Sequence, residues 1–418
     1  ACDRPAPSAR SAPDPSPAPR RPPSRSARRC AARRPSAWSG RRTGGRGWRD
    51  ASETTKRRFE EGEEMVRAIT EFNTTDFDGS HCFLCCEPLS DNNRSDEHIF
   101  PKWLQRKHNL WNERLTLLNG TLIPYRNLLI PCCSNCNNGP LSELEKRVQS
   151  ALSKRPHEIS DQDQIWIYLW AGKILFCILA KERGLLVDRS APASGPIIPR
   201  SELDRLKAIH CHLQAVRFRH EFGGPNCKVP GSIVVLEAKD APEAQLGFDF
   251  GDDYLAFSLF LRTGDRVIYA NFDGGLVGAS IGHLMREEAQ GPLHPIQAKE
   301  LWAKFMYKTQ LVSVILFFLN KFDDQQQKLF IQIMSYDDPD NLSRMMVLKK
   351  GDTSTYIPVA AKPQTGELFR EWKPKDYGLR LAALLGVEPD DVFIDRGMTK
   401  VGTFLTDSKG RFRDIPFG

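Results

Sequence analysis

The sequence predicts an α+β protein: a small module stapled by a metal, then a larger mixed α+β region, all preceded by an arm with no core of its own. Three observations carry this. Six of the eleven cysteines fall between Cys82 and Cys136, an apolar run of helical length covers residues 165–180, and beyond Gly223 the apolar residues gather in short β-rich runs separated by turn residues. With 418 residues, 40% of them hydrophobic, the chain is long enough for two or three cores, which excludes a wholly disordered or fibrous protein. The expected organisation is a disordered Arg/Pro-rich arm over 1–50, a module with a leading helix over 51–155, an α+β accessory domain over 156–330 and a C-terminal extension with a short helix over 331–418.

Charge is unevenly spread. Residues 1–50 hold 13 Arg, no Lys and three Asp, a net of +10, so the formal +7 of the whole chain leaves −3 on the other 368 residues. Nucleic-acid binding by the folded body must therefore come from a local site and not from global basicity. The arm's nine prolines and scarcity of large apolar residues leave it too little surface to bury against its chain entropy. A processed leader, a misplaced gene start or a fragment boundary would each account for it, and an arm that binds phosphates is a further reading.

Taken in order, residues 54–72 carry a partial helical stripe, Phe59, Met65, Ala68 and Ile69. The run 165–180 is apolar almost all round and contains Gly172 and Lys173, which marks a buried core helix; at 16 residues it falls short of the roughly 20 needed to span a bilayer, so no membrane is expected. Residues 184–200 read as a loop and 202–216 as a helix. A strand is expected at 233–236, then a hairpin of 255–261 and 267–272 about Thr263-Gly264-Asp265. Residues 296–319 continue as helix or give way to a buried strand at 312–319, which periodicity leaves open. A short helix over 378–385 ends at Gly386.

The chemistry concentrates at the cysteines. Cys82-x-x-Cys85 and Cys133-x-x-Cys136 are two knuckles of the spacing a tetrahedral four-cysteine structural zinc requires, and such crowding in a mid-sized chain points to metal in a reducing compartment, here cytoplasmic, more than to disulfides. Cys86 and Cys132 are then packed thiols. His210-Cys211-His212 lies two residues apart on a helix, so its histidines do not share a face, and His210 is assigned to the core. Asp252-Asp253 and Gly274-Gly275 read as turn chemistry, and Glu143 and Glu145 as the solvated face of an amphipathic helix from which one could reach a metal.

Between the knuckles stands Asp96-Glu97-His98-Ile99-Phe100-Pro101, followed by Asn127-Leu128-Leu129-Ile130-Pro131 and then, directly after Cys136, Asn137-Asn138. Over 81–146 this stretch resembles the HNH nucleases, whose ββα-metal motif sets a carboxylate-His pair on a hairpin and an Asn or His on the following helix. The resemblance implies His98 as general base, Glu97 and Asn137 as ligands of a catalytic Mg or Mn, and Asn127 as the middle Asn, fixing the His98 loop through side-chain to backbone hydrogen bonds. Those residue types suit the reaction: hydrolysing a phosphodiester needs a base with a pKa near neutrality and a cation at the scissile phosphate, and oxygen donors favour hard divalent ions.

Two departures stand out. The family more often has Asp at the Glu97 position, and Gly139-Pro140 stands where a phosphate-contacting Lys or Arg is usual; Lys102, Arg106, Lys107, Arg126 and Lys146 are candidate replacements. The sequence thus leads to the expectation of a metal-dependent endonuclease acting on nucleic acid, most readily DNA, with residues 156–418 free to choose a target or bind a protein partner, and the resemblance adds an association with mobile elements or defence. The competing expectation is a zinc-stapled module that binds nucleic acid or a protein without catalysis.

Overall fold

A computed structural model describes residues 79–198, 203–223, 229–312, 315–323, 326, 328–336, 355–358, 369–370, 373–388, 393–394, 402–403, 405–407 and 411–416. The arm and the expected helix over 54–72 lie outside the described residues. What is described is a mixed α+β fold. Strand β1 (Arg94–His98) is followed by α1 (Lys102–Lys107), the short hairpin β2 (Arg114–Thr116) and β3 (Leu122–Pro124), and β4 (Leu129–Cys133), which returns antiparallel to β1 with His98 opposite Leu129 and Arg94 opposite Cys133. The chain then turns helical from Ser134 and runs into α2 (Ser142–Leu152).

The apolar run becomes α3 (Asp161–Arg183), longer at both ends than the run itself. Its start is fixed by Ser160, whose hydroxyl accepts from the Asp163 N–H at 3.2 Å while the Asp163 carboxylate accepts from the Ser160 N–H at 2.9 Å, a reciprocal cap. By length and composition α3 could cross a membrane, but it is mostly buried inside the protein. It is the central core helix, packed against α2 and against α4 (Leu203–Leu213).

Two four-stranded sheets follow. One runs β6 (Ser232–Glu237), β9 (Arg266–Asn271), β8 (Ser258–Thr263), β7 (Phe248–Asp253), all antiparallel neighbours, and its β8–β9 turn holds Gly264 at φ 62°, a left-handed conformation that glycine adopts without strain. Helices α5 (Leu276–Ala289) and α6 (Pro295–Gln310) pack near it. The other joins β12 (Thr355–Pro358), β10 (Ile315–Asp323), β11 (Lys328–Tyr336) and β5 (Arg219–Gly223), the last pair parallel. The ambiguity at 296–319 resolves into both elements in succession, helix to Gln310 and strand from Ile315. Helix α7 (Pro374–Leu385) stops at Gly386, φ 68°. One apolar core extends from the knuckles through α3 and α4 to β6, β8, β9 and β11, so residues on both sides of 155 share it.

A zinc-knuckle cluster beside a histidine cleft

The four knuckle cysteines meet. The thiols of Cys82, Cys85, Cys133 and Cys136, all buried, lie within 4.8 Å of one another, and among the described residues they are the one group of His, Cys, Asp or Glu drawn together tightly enough for a metal. Four soft donors at this separation and spacing fit a closed tetrahedral zinc. The turns are braced from outside: the Phe83 N–H donates to the Pro131 carbonyl at 2.9 Å, and buried His210 donates from Nε2 to the Phe83 carbonyl at 2.9 Å. Burial pushes the His210 pKa down to about 4, so it is a neutral core donor. Cys132, with its thiol 3.8 Å from that of Cys82, is held above its ordinary pKa by that hydrogen bond and by burial, as befits a packed thiol outside the cluster.

Adjacent to the cluster opens a cleft of about 180 Å³ bounded by Asp96, Glu97, His98, Pro101, Lys102, Asn137, Asn138, Ser142 and Glu145. Asp96 and His98 share one face of β1 and Ser95 and Glu97 the other, and the cleft lies at the end of the strand where residues of both faces border it. Asn137 arrives from the opposite wall, at the start of a widened helical turn, Asn137–Leu141, in which Pro140 has no N–H to offer the helix ladder. Its Nδ2 donates to Ser95 Oγ at 2.9 Å and to the Asp96 carbonyl at 3.3 Å, which leaves Oδ1 as the uncommitted acceptor. Lys102, in the first turn of α1, is the one candidate phosphate cation from the sequence that borders the cleft. Arg126 is engaged elsewhere, donating to Asn112 Oδ1 and to the Trp111 carbonyl.

His98 is half-buried. Gln105, whose Nε2 is pinned by the Phe100 carbonyl at 2.7 Å, reaches His98 Nδ1 at 3.3 Å and donates to it, so the neutral ring carries its proton on Nε2. Burial, and next the Lys102 ammonium, push the His98 pKa below its ordinary 6.5, while Glu97 and Asp96 pull the other way.

Glu97 departs from the expected role. Only 6% exposed, it is ion-paired with Lys173 of α3, a residue 1% exposed whose Nζ also donates to the His98 carbonyl at 2.8 Å and stands 3.5 Å from Glu145 Oε1. A carboxylate already neutralised by a buried ammonium is a poor ligand for a divalent cation, so the better-placed oxygens on the cleft are Asn137 Oδ1 and the Asp96 carboxylate, whose ion pair with Arg94, at 3.5 Å, is exposed to solvent and weak. Burial raises the Glu145 pKa against the pull of Lys173. Asn127 also departs: it is exposed, and among the described residues its side chain makes no hydrogen bond. The loop is held to the His98 strand through backbone instead, with the Leu128 carbonyl accepting from the Ile99 N–H at 2.9 Å. The missed residue, Lys173, left a signal in the sequence, since a lysine inside a fully apolar helix has to find a carboxylate.

Comparison with protein-family models, with curated proteins and with solved structures finds no match to this chain.

Proposed function

We propose that the chain is a zinc-stapled, HNH-type endonuclease that hydrolyses phosphodiester bonds, in DNA by preference. The observation that carries this reading is the convergence of His98, Asp96 and Asn137 on one cleft, the first two from a strand paired with the second knuckle's strand and the third from the turn that follows that knuckle. The zinc has a structural role, because four cysteines leave it no open position. Magnesium or manganese, held by Asp96 and Asn137 Oδ1, would supply charge neutralisation at the scissile phosphate and the leaving oxygen.

In this mechanism the neutral His98 ring removes a proton from the attacking water. The proton goes to Nδ1, the unprotonated nitrogen, whose lone pair becomes available when the 3.3 Å hydrogen bond from Gln105 gives way. The water oxygen bonds to phosphorus and the ester oxygen leaves. Lys102 steadies the phosphate, and Lys173, by gripping the His98 carbonyl and Glu97 together, keeps the base in place throughout.

The test is metal-dependent nicking of plasmid by the full zinc-loaded chain. His98→Ala is expected to lower the rate roughly 100-fold or more, the scale of a general base, with zinc content unchanged. Equal nicking by that variant sinks the assignment. The engagement of Glu97 by Lys173 favours a second reading, a non-catalytic module that binds nucleic acid or a protein partner through residues 156–418; binding without any nicking would select it.

A further inference from the structure

Trp111 stands beside the cleft with a role in none of the chemistry above. Its side chain is among the exposed large apolar groups, at 45%, and its ring lies 5.9 Å from the His98 ring, tilted by 41°. A single exposed apolar residue ordinarily calls for no explanation. Here three further features set it apart. The turn that presents it begins at Asn109 in the left-handed conformation, φ 55°, a position few non-glycine residues take. Arg126 braces that turn by donating to the Trp111 carbonyl and to Asn112 Oδ1. And two exposed cations, Lys102 and Arg106, stand one helical turn apart on α1, so that they share a face, and neither has an ion pair among the described residues.

We infer that Trp111 is a stacking platform for an unpaired nucleobase, and that the substrate class of this cleft is single-stranded or locally unpaired nucleic acid. The inference rests on the nucleic-acid reading of the His98 cleft and narrows it. A phosphate within reach of His98 brings its own nucleotide to Trp111, since the two rings are in contact. In a duplex that nucleotide's base is covered on both faces by its neighbours, and only a base freed from the stack can lie on the indole. Sequence-tolerant stacking on an aromatic ring, with cations along the backbone, is how single strands are held by proteins generally.

The experiment is fluorescence anisotropy with the full zinc-loaded chain, without added magnesium or manganese, against a labelled single-stranded oligonucleotide and its duplex at one salt concentration. The wild-type chain is expected to bind the single strand more tightly. Trp111→Ala should lower the single-strand to duplex affinity ratio roughly tenfold, the scale of one stacked base, while Trp111→Phe should keep most of it. Zinc content and circular dichroism check that each variant is folded. Equal affinity for both forms in the wild type, or the same ratio in Trp111→Ala, overturns the inference. Nicking with magnesium or manganese separates the two proposals. Single-strand preference lost in Trp111→Ala but no cleavage removes the nuclease reading alone, and His98-dependent cleavage of duplex that is indifferent to Trp111 removes this one alone.

Discussion

A lysine taken out of water persists only where carboxylates surround it, and Lys173 has Glu97, Glu145 and the His98 carbonyl. Lys173→Met should therefore strand two acidic groups around an apolar side chain and lose about 3–5 kcal/mol in denaturant unfolding, as expected when one partner of a buried ion pair is removed. The double variant Lys173→Met, Glu97→Gln should recover part of that loss. A loss within about 0.5 kcal/mol of zero would mean the pair is solvated. Lys102 acts on the same histidine from the open side. It is the second cause, after burial, of the lowered His98 pKa, and a base works only in its neutral form. The acid limb of the pH–rate profile should thus lie below pH 6.5, and Lys102→Met should move it upward toward that value. A limb unmoved in that variant would detach Lys102 from the base. At this scale the cysteines were legible because their spacing is itself the chemistry. The pairing of Lys173 with Glu97 was not, because the two stand 76 positions apart and only the fold brings them together.

The element that carries the cleft, the β1–β4 pair, is a two-stranded sheet of five-residue strands, which alone is marginal in water. It holds because Cys133 at the end of β4 is fixed in the cluster and because α3 supplies an apolar backing. Zinc removal by a strong chelator, or Cys82→Ser, should release this pair before the rest of the protein, since metal binding energy is folding energy in such modules. Hydrogen exchange checks it: amides of β1 and β4 should lose protection while those of β8 and β9 keep theirs. Uniform loss across both would show that zinc stabilises the whole core equally. The β8–β9 hairpin was readable from its turn residues and α3 from its unbroken apolarity. β7 was not, because Asp252 and Asp253 in Phe248–Asp253 resemble turn residues; Asp253 does accept the Ala256 N–H at 2.7 Å, so strand and turn meet there. The parallel pairing of β5 with β11 has no local signal at all, since register between distant strands is decided by the core they bury.

At the scale of the whole molecule, the knuckle region is joined to the later sheet by specific polar ties as well as by apolar contact. His108, just after α1, meets Thr263 Oγ1 through Nε2 at 3.0 Å and the Ala244 carbonyl through Nδ1 at 2.9 Å, both buried or nearly so. Only a composite of distant segments could reveal this, whereas the charge asymmetry of the chain is plain from the sequence. On the proposed nuclease reading, the two facts would divide the labour between chemistry and capture. No cysteine of the cluster and no residue of the cleft precedes Cys82, so cleavage should not need residues 1–49, while their Arg content dominates any unspecific attraction to phosphate. Each phosphate neutralised by an arginine releases counterion and adds about 0.9 to the slope of log affinity against log salt on duplex DNA. A chain starting at Asp50 should therefore bind DNA more weakly and with a shallower slope, yet keep its single-turnover cleavage rate at saturating substrate. If instead that rate collapses with zinc still bound, the arm takes part in assembling the active site, and the division between a capturing arm and a catalytic body is wrong.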